Sequence, residues 1–240
     1  MITCKLIMNI AVHSLHWTNL NPTITKNHKK VYTHFEIPVN YSHHNIDHGG
    51  WMTHMCRNTE YDIIVFVDAD CVPITRKVFD EGIDYCAKTG GMIGPAQASN
   101  HFKAPHNRHI FCAPSFLMLT KEGYEKMGSP SLEVFPGLSD AAQNLSRVSD
   151  DLDLPRHCWY PTKYERGYRI GNPLGYDPLG SHGRYGIGTV YGEDKLYHLF
   201  ESSGGRNADL FERRCESIIG NTFNSSDFLK SITPLPDGGM

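Results

Sequence analysis

The chain has 240 residues, with 23 lysines and arginines against 26 aspartates and glutamates and a formal net charge of -3. Hydrophobic residues make up 40% and charged residues 20%, the balance of a globular protein long enough for one large α/β domain or two small ones. A charge so near neutral gives no general pull toward nucleic acid or an anionic membrane, and the sequence holds no run of about 18 apolar residues that could span a bilayer.

The seven cysteines are scattered and none forms a Cys-x-x-Cys pair. That pattern argues against a zinc ribbon or a thioredoxin-type centre and fits a reducing, cytoplasmic compartment. Lys5 interrupts the apolar N-terminus and no small-residue cleavage site follows, so no signal peptide is expected. Among 14 histidines, at least one is a candidate metal ligand.

Residues 6–12 read as a first buried strand. Residues 13–30 are polar and carry Asn21-Pro22, a turn signal, so they form a ragged helix or a long loop. Residues 31–39 alternate loosely and read as a second strand, ended by Pro38 and Asn40. A histidine-bearing loop over 43–50 leads to a short helix over 51–58. Strand, connection, strand, helix, strand is the order of a parallel doubly wound sheet.

The next stretch stands out. Ile63 to Val67 is an unbroken run of β-branched and aromatic residues, the signature of a strand buried on both faces. It breaks into Asp68-Ala69-Asp70, and Pro73 then closes the strand. Two carboxylates there either cap a turn or share a divalent cation. Hard cations such as Mg²⁺ and Mn²⁺ favour carboxylate oxygens, and strand C-terminal ends are where open α/β sheets bind ligands.

Beyond Pro73, residues 76–88 fit an amphipathic helix stopped by Gly90-Gly91. Residues 91–98 and 110–120 read as strands, and 121–127 as a helix closed by Gly128. Residues 139–148 read as a helix with Ser139 in the capping position, and Trp159-Tyr160-Pro161 ends a short strand. The glycine-rich stretch 167–192 reads as a loop, residues 196–200 as a strand, 210–219 as a helix and 221–240 as a polar tail.

This ordered set resembles the GT-A-fold glycosyltransferases, in the short form found in bacteria and their viruses. The resemblance rests first on the hydrophobic strand ending in Asp68-Ala69-Asp70. It continues with the strand and helix of Phe116-Leu117-Met118-Leu119-Thr120-Lys121-Glu122-Gly123. Ser139-Asp140-Ala141-Ala142, followed by His157-Cys158-Trp159-Tyr160-Pro161, is the third part, and Leu196-Tyr197-His198-Leu199-Phe200 the fourth. The resemblance implies an α/β GT-A fold, with a Rossmann-like mixed central sheet flanked by helices, in a single domain over 1–220. Residues 1–100 would be its nucleotide-binding half, 101–220 its acceptor half and 221–240 a tail.

The activity it implies is transfer of a hexose from a nucleotide-diphospho-sugar, with UDP-glucose and UDP-galactose the first UDP-sugars to consider. The acceptor is an unidentified glycan, lipid, protein or other hydroxyl compound. By resemblance, Asp68, Asp70 and His198 would hold Mn²⁺ or Mg²⁺, and Asp140 would be the general base. Ala11, Val12, His13, His48, Asp68, Ala69 and Arg206 would contact the donor. Inverting members often carry two acidic residues where this chain has Ser139-Asp140. The glycine-rich loop would act as a lid, with Trp159, Tyr160 and Tyr185 available to stack on sugar faces. A sugar nucleotidyltransferase is the nearest competing enzyme, although residues 13–30 lack the glycine of a phosphate loop. A non-catalytic nucleotide- or carbohydrate-binding module is the alternative of another class.

Overall fold

In the computed structural model, which describes residues 8–99, 109–167, 179, 182–200 and 202–231, strand β1 (Ile10–His16) runs parallel between β2 (Asn40–His43) and β3 (Ile63–Val67). The strand expected over 6–12 thus extends to His16, and residues 1–7 lie outside the described chain. His13, Ser14 and His16 are polar yet buried, so apolar content alone does not reveal the strand's second half.

Of the ragged helix or long loop expected over 13–30, the structure has a helix, α1 (Pro22–His34), which also takes in the first residues of the second strand expected over 31–39. Asn21-Pro22 is a helix start: the Asn21 carbonyl side chain accepts the Thr23 N–H at 2.8 Å, and Pro22 occupies a position with no amide to lose. Ile24, His28, Val31 and Tyr32 fall on one buried face at helical spacing. Val31 and Tyr32 therefore belong to that helix, and β2 begins only at Asn40. Helix α2 (His48–Asn58), N-capped by Asp47, leads into β3.

After Asp68–Asp70 the chain enters β4 (Cys71–Pro73), a strand of a second sheet. Pro73 accordingly ends β4, not β3. Helix α3 (Arg76–Thr89), β5 (Met92–Ala98), β6 (Ile110–Cys112), β7 (Phe116–Thr120) and α4 (Lys121–Lys126) follow near their expected places. Helix α5 (Gln143–Asp151) starts later than expected. Ser139 pairs with Phe135 in a turn, and Ala142, not Ser139, stands before the helix. Then comes β8 (Arg156–Trp159).

The large sheet has the order β2-β1-β3-β7-β5-β6, with β8 also paired to β5. Strand β7 runs antiparallel to both β3 and β5, so the wholly parallel order expected from the first strands does not hold. The protein is a mixed α/β fold with a mixed central sheet flanked by helices.

The second sheet has the order β12-β9-β10-β11-β4, made from β9 (Pro161–Gly167), β10 (Gly186–Tyr191), β11 (Leu196–Leu199) and β12 (Leu229–Lys230). The later part of the glycine-rich stretch, Gly186–Tyr191, is therefore a buried strand. Gly188 is there for packing, since a Cβ on it would meet the Tyr197 hydroxyl at 2.4 Å. Residues 168–178, 180 and 181 of the expected lid lie outside the described residues. Helix α6 (Ala208–Ile219) packs on α1. The expected tail contributes β12, and Phe223 packs edge-on against Tyr197; residues 232–240 lie outside the description. One apolar core joins both sheets.

His16 and His28 are buried against each other, with ring centroids 5.5 Å apart. Burial, then His43 and Lys29, pushes His16 down to about 4. Burial, then His16 and Lys29, holds His28 well below 6.5. Both are neutral when folded and protonate in the unfolded chain below 6.5, so the unfolded state binds more protons and stability falls with pH through that window. The melting temperature should drop as pH falls from about 7 to about 5. His16→Phe should shallow that slope, and an unchanged slope would contradict the assignment.

Candidate metal centre

Strand β3 delivers Asp68 to the point where the chain leaves the large sheet. There the Asp68 N–H donates to the Ser115 carbonyl at 3.0 Å, and the Cys71 N–H closes a turn onto the Asp68 carbonyl at 3.1 Å. Strand β4 then pairs with β11, setting His198 opposite Cys71. The Leu199 N–H donates to the Asp70 carbonyl at 2.9 Å, and the Tyr32 hydroxyl of α1 donates to the Cys71 carbonyl at 3.2 Å. The Asp68–Asp70 turn is thus tied to both sheets and to α1 through its backbone.

The side chains converge. Asp68, Asp70 and His198 each present a ligand atom, all within 4.8 Å of one another. His198 Nε2 lies 3.5 Å from Asp70 Oδ1, and the Ser202 hydroxyl donates to Asp70 Oδ2 at 2.5 Å. His48, first residue of α2, brings Nε2 to 3.4 Å from Asp68 Oδ1 and stacks on Trp51. Burial pushes the Asp68 carboxyl up, with Asp70 adding to the rise and His48 and His198 opposing it. For Asp70, burial also works against ionisation, but hydrogen bonds from His198 and Ser202 outweigh it and hold the group below its usual range. The buried Nδ1 of His198 has no hydrogen-bond partner among the described residues. Two carboxylates and an imidazole suit a divalent transition metal with mixed oxygen and nitrogen ligands.

A cavity of about 260 Å³ opens beside this group. His48, Asp68, Ala69 and Asp70 line it, as do Leu15, Trp17, Asn19, Leu20 and Ser202, which sequence reasoning did not single out. Trp17 is held by its indole N–H, which donates to the Ile46 carbonyl at 3.1 Å. The signal for these residues was the end of β1, but the strand was placed too early. Ala11, Val12 and His13 lie inside β1 in the core, with His13 edge-on to Trp51, and do not line the cavity. Arg206 is exposed just after the 3-10 turn Ser203–Gly205 and is not among the lining residues. Asp140 is half-buried before α5, its N–H donating to Gln143 Oε1 at 2.9 Å, and also stands outside that lining.

The aromatic residues considered for sugar stacking are placed otherwise. Trp159 is buried against Phe116. Tyr185 is buried, with its hydroxyl donating to the Ala96 carbonyl at 3.1 Å and accepting the Ala98 N–H at 2.9 Å. Tyr160 is the exposed one and stacks on His182. Asp150, in α5, pairs with Arg156 and His109.

No protein-family model matches the chain, and no curated protein matches it. Among solved structures, it is similar to a mannosyltransferase from Pyrobaculum calidifontis in complex with GDP-Man and Mn²⁺, at 11% identity and a TM-score of 0.43. That match covers 63% of this chain and spans only 54% of the mannosyltransferase chain. A protein from STIV is similar at 12% identity and a TM-score of 0.42, over 81% of this chain and 95% of that one. Bifunctional IspDF from Campylobacter jejuni matches at 10% identity and a TM-score of 0.39, covering 62% of this chain and 48% of that one. Resemblances this distant assign no function to the chain. Among the described residues, no helix is long and apolar enough to cross a membrane.

Because burial and the neighbouring Asp70 both disfavour a charge on Asp68, replacing its carboxylate by a neutral amide should relieve the metal-free fold. Asp68→Asn is expected to raise stability without divalent cations by about 1 kcal/mol and to abolish the stabilisation that Mn²⁺ gives the parent protein. Denaturant melts with EDTA or Mn²⁺ check this. A variant less stable than the parent in EDTA, or one still stabilised by Mn²⁺, would contradict the assignment.

Proposed function

We propose that the protein is a metal-dependent glycosyltransferase of the GT-A type. In this reading it transfers a hexose from a nucleotide-diphospho-sugar, with a UDP-sugar such as UDP-glucose or UDP-galactose as donor, to a hydroxyl acceptor. The observation that carries the proposal is the convergence of Asp68, Asp70 and His198 to within 4.8 Å of one another, with both aspartates on the wall of a cavity of about 260 Å³.

A bound Mn²⁺ or Mg²⁺ supplies Lewis-acid stabilisation of the charge that builds on the departing diphosphate. Asp70 and His198 are the direct ligands in this reading, and Asp68 ligates directly, through water, or binds the ribose. Ser202 fixes the Asp70 carboxylate by hydrogen bonding. His48, at the first turn of α2, contacts the donor beside Asp68 and orients that carboxylate. Trp17 and Leu20 give the cavity the apolar wall that a nucleobase needs, and Asn19 offers an amide for its edge. Arg206, exposed beyond the 3-10 turn, is assigned to the diphosphate.

The transition state is oxocarbenium-like, and the attacking hydroxyl must give up its proton. Asp140 is the residue assigned to receive it. Asp140→Asn should cut sugar transfer by about 10²–10⁴ while leaving donor binding intact. Transfer at the parental rate would remove Asp140 from this role.

The direct test of the reaction class is release of nucleoside diphosphate from a panel of nucleotide-sugars with Mn²⁺, Mg²⁺ or EDTA. Metal-dependent release from one donor is the expected result, lost in Asp70→Ala and His198→Ala with the fold retained. Failure of every donor to release diphosphate or to raise the melting temperature would overturn the proposal.

A further inference from the structure

Away from the candidate centre, two cysteines and a charged relay form a second reactive cluster. Cys112, at the end of β6, and Cys158, in β8, bring their sulfurs to 3.5 Å. Gly94 of β5 faces Cys158 in register, and a Cβ on it would crowd the Cys112 Cβ at 3.3 Å. Arg156 Nη1 donates to Cys158 Sγ at 3.2 Å and to the Ile110 carbonyl at 3.1 Å. Its guanidinium is gripped on both sides by Asp150, with Nε to Oδ1 and Nη2 to Oδ2 both 2.8 Å. His109 Nε2 lies 2.9 Å from the same Asp150.

The two thiols differ in surroundings. The Cys112 thiol has two acceptors in reach for its one proton, the His157 carbonyl at 3.3 Å and Cys158 Sγ, and is fully buried, which pushes its pKa up. Cys158 accepts from Arg156. Its pKa is drawn down by the hydrogen bond with Cys112 and by the Arg156 guanidinium, against the opposing effect of burial. Both sulfurs are buried, Cys158 slightly less so, and the cationic donor stands beside Cys158, which favours a thiolate there over one at Cys112. None of these residues lines the cavity or belongs to the Asp68–Asp70–His198 group.

We propose that Cys112 and Cys158 form a reversible thiol–disulfide pair that reacts with low-molecular-weight disulfides, with Cys158 as the attacking sulfur and Cys112 as the resolving one. The Cys158 thiolate attacks one sulfur of the small disulfide, forming a mixed disulfide and expelling one thiolate. Cys112 gives up its proton to that thiolate and attacks Cys158 Sγ, expelling the second small thiolate, which takes a proton from solvent. Two protein thiols are oxidised and one small disulfide is reduced to two thiols.

The test is incubation of the native protein with graded oxidised glutathione, alkylation of the remaining thiols before unfolding, and peptide mapping. The expected product is a Cys112–Cys158 cross-linked peptide that a dithiol reductant returns to two alkylatable thiols. Cys112→Ser should instead hold glutathione on Cys158. Arg156→Gln in that background should slow its capture several-fold, the loss of thiolate being partly offset by the greater nucleophilicity of a more basic sulfur. Recovery of both cysteines as free thiols at every oxidant concentration would overturn the proposal. So would glutathione appearing on other cysteines while this pair stays reduced. The wild-type map alone decides these outcomes, so they do not depend on either variant folding.

Discussion

Two carboxylates share one small space at the point where the chain crosses from one sheet to the other, and much of the surrounding structure answers to that. With ligand atoms within 4.8 Å, two such charges repel by roughly 3 kcal/mol at an effective dielectric near 20. The fold supplies partial compensation: His198 and Ser202 on Asp70, and His48 on Asp68. The hydrogen bonds keep Asp70 ionised, while Asp68 is left with a raised pKa. An arrangement that retains such a repulsion gains most from a divalent cation, which reverses the sign of the interaction.

The architecture explains why these residues meet. Strand β3 is buried on both faces and therefore fixed in position. The antiparallel pairing of β4 with β11 converts a sequence separation of more than a hundred residues into a close contact between Asp70 and His198. Tyr32 on α1 and Ser115 before β7 hold the turn from either side by its backbone. The turn's backbone is consequently held by main-chain hydrogen bonds, and its carboxylates need not anchor it.

Much of this was legible in the chain because the strongest signals are local. An unbroken β-branched and aromatic run announced β3, and its abrupt change to Asp-Ala-Asp marked the turn where Asp68 and Asp70 meet His198. His198 was accessible through the resemblance of its strand, not through any periodicity. The cavity wall was hidden for a definite reason: β1 continues through His13, Ser14 and His16, polar residues buried by tertiary packing. Placing the strand end too early pointed to Ala11, Val12 and His13 instead of Leu15 and Trp17. The same competition between local signal and tertiary context turned Asn21-Pro22 from a turn into a helix cap. It also made a glycine-rich stretch into β10, where small residues admit the Tyr197 hydroxyl.

The central claim is that Asp68, Asp70 and His198 bind one divalent cation together. Anomalous diffraction from crystals soaked in Mn²⁺ tests it most directly. The account predicts a single strong peak within bonding distance, about 2.0–2.3 Å, of Asp70 and His198 and directly or through water in contact with Asp68. A peak elsewhere, with density between these three side chains empty, would contradict it.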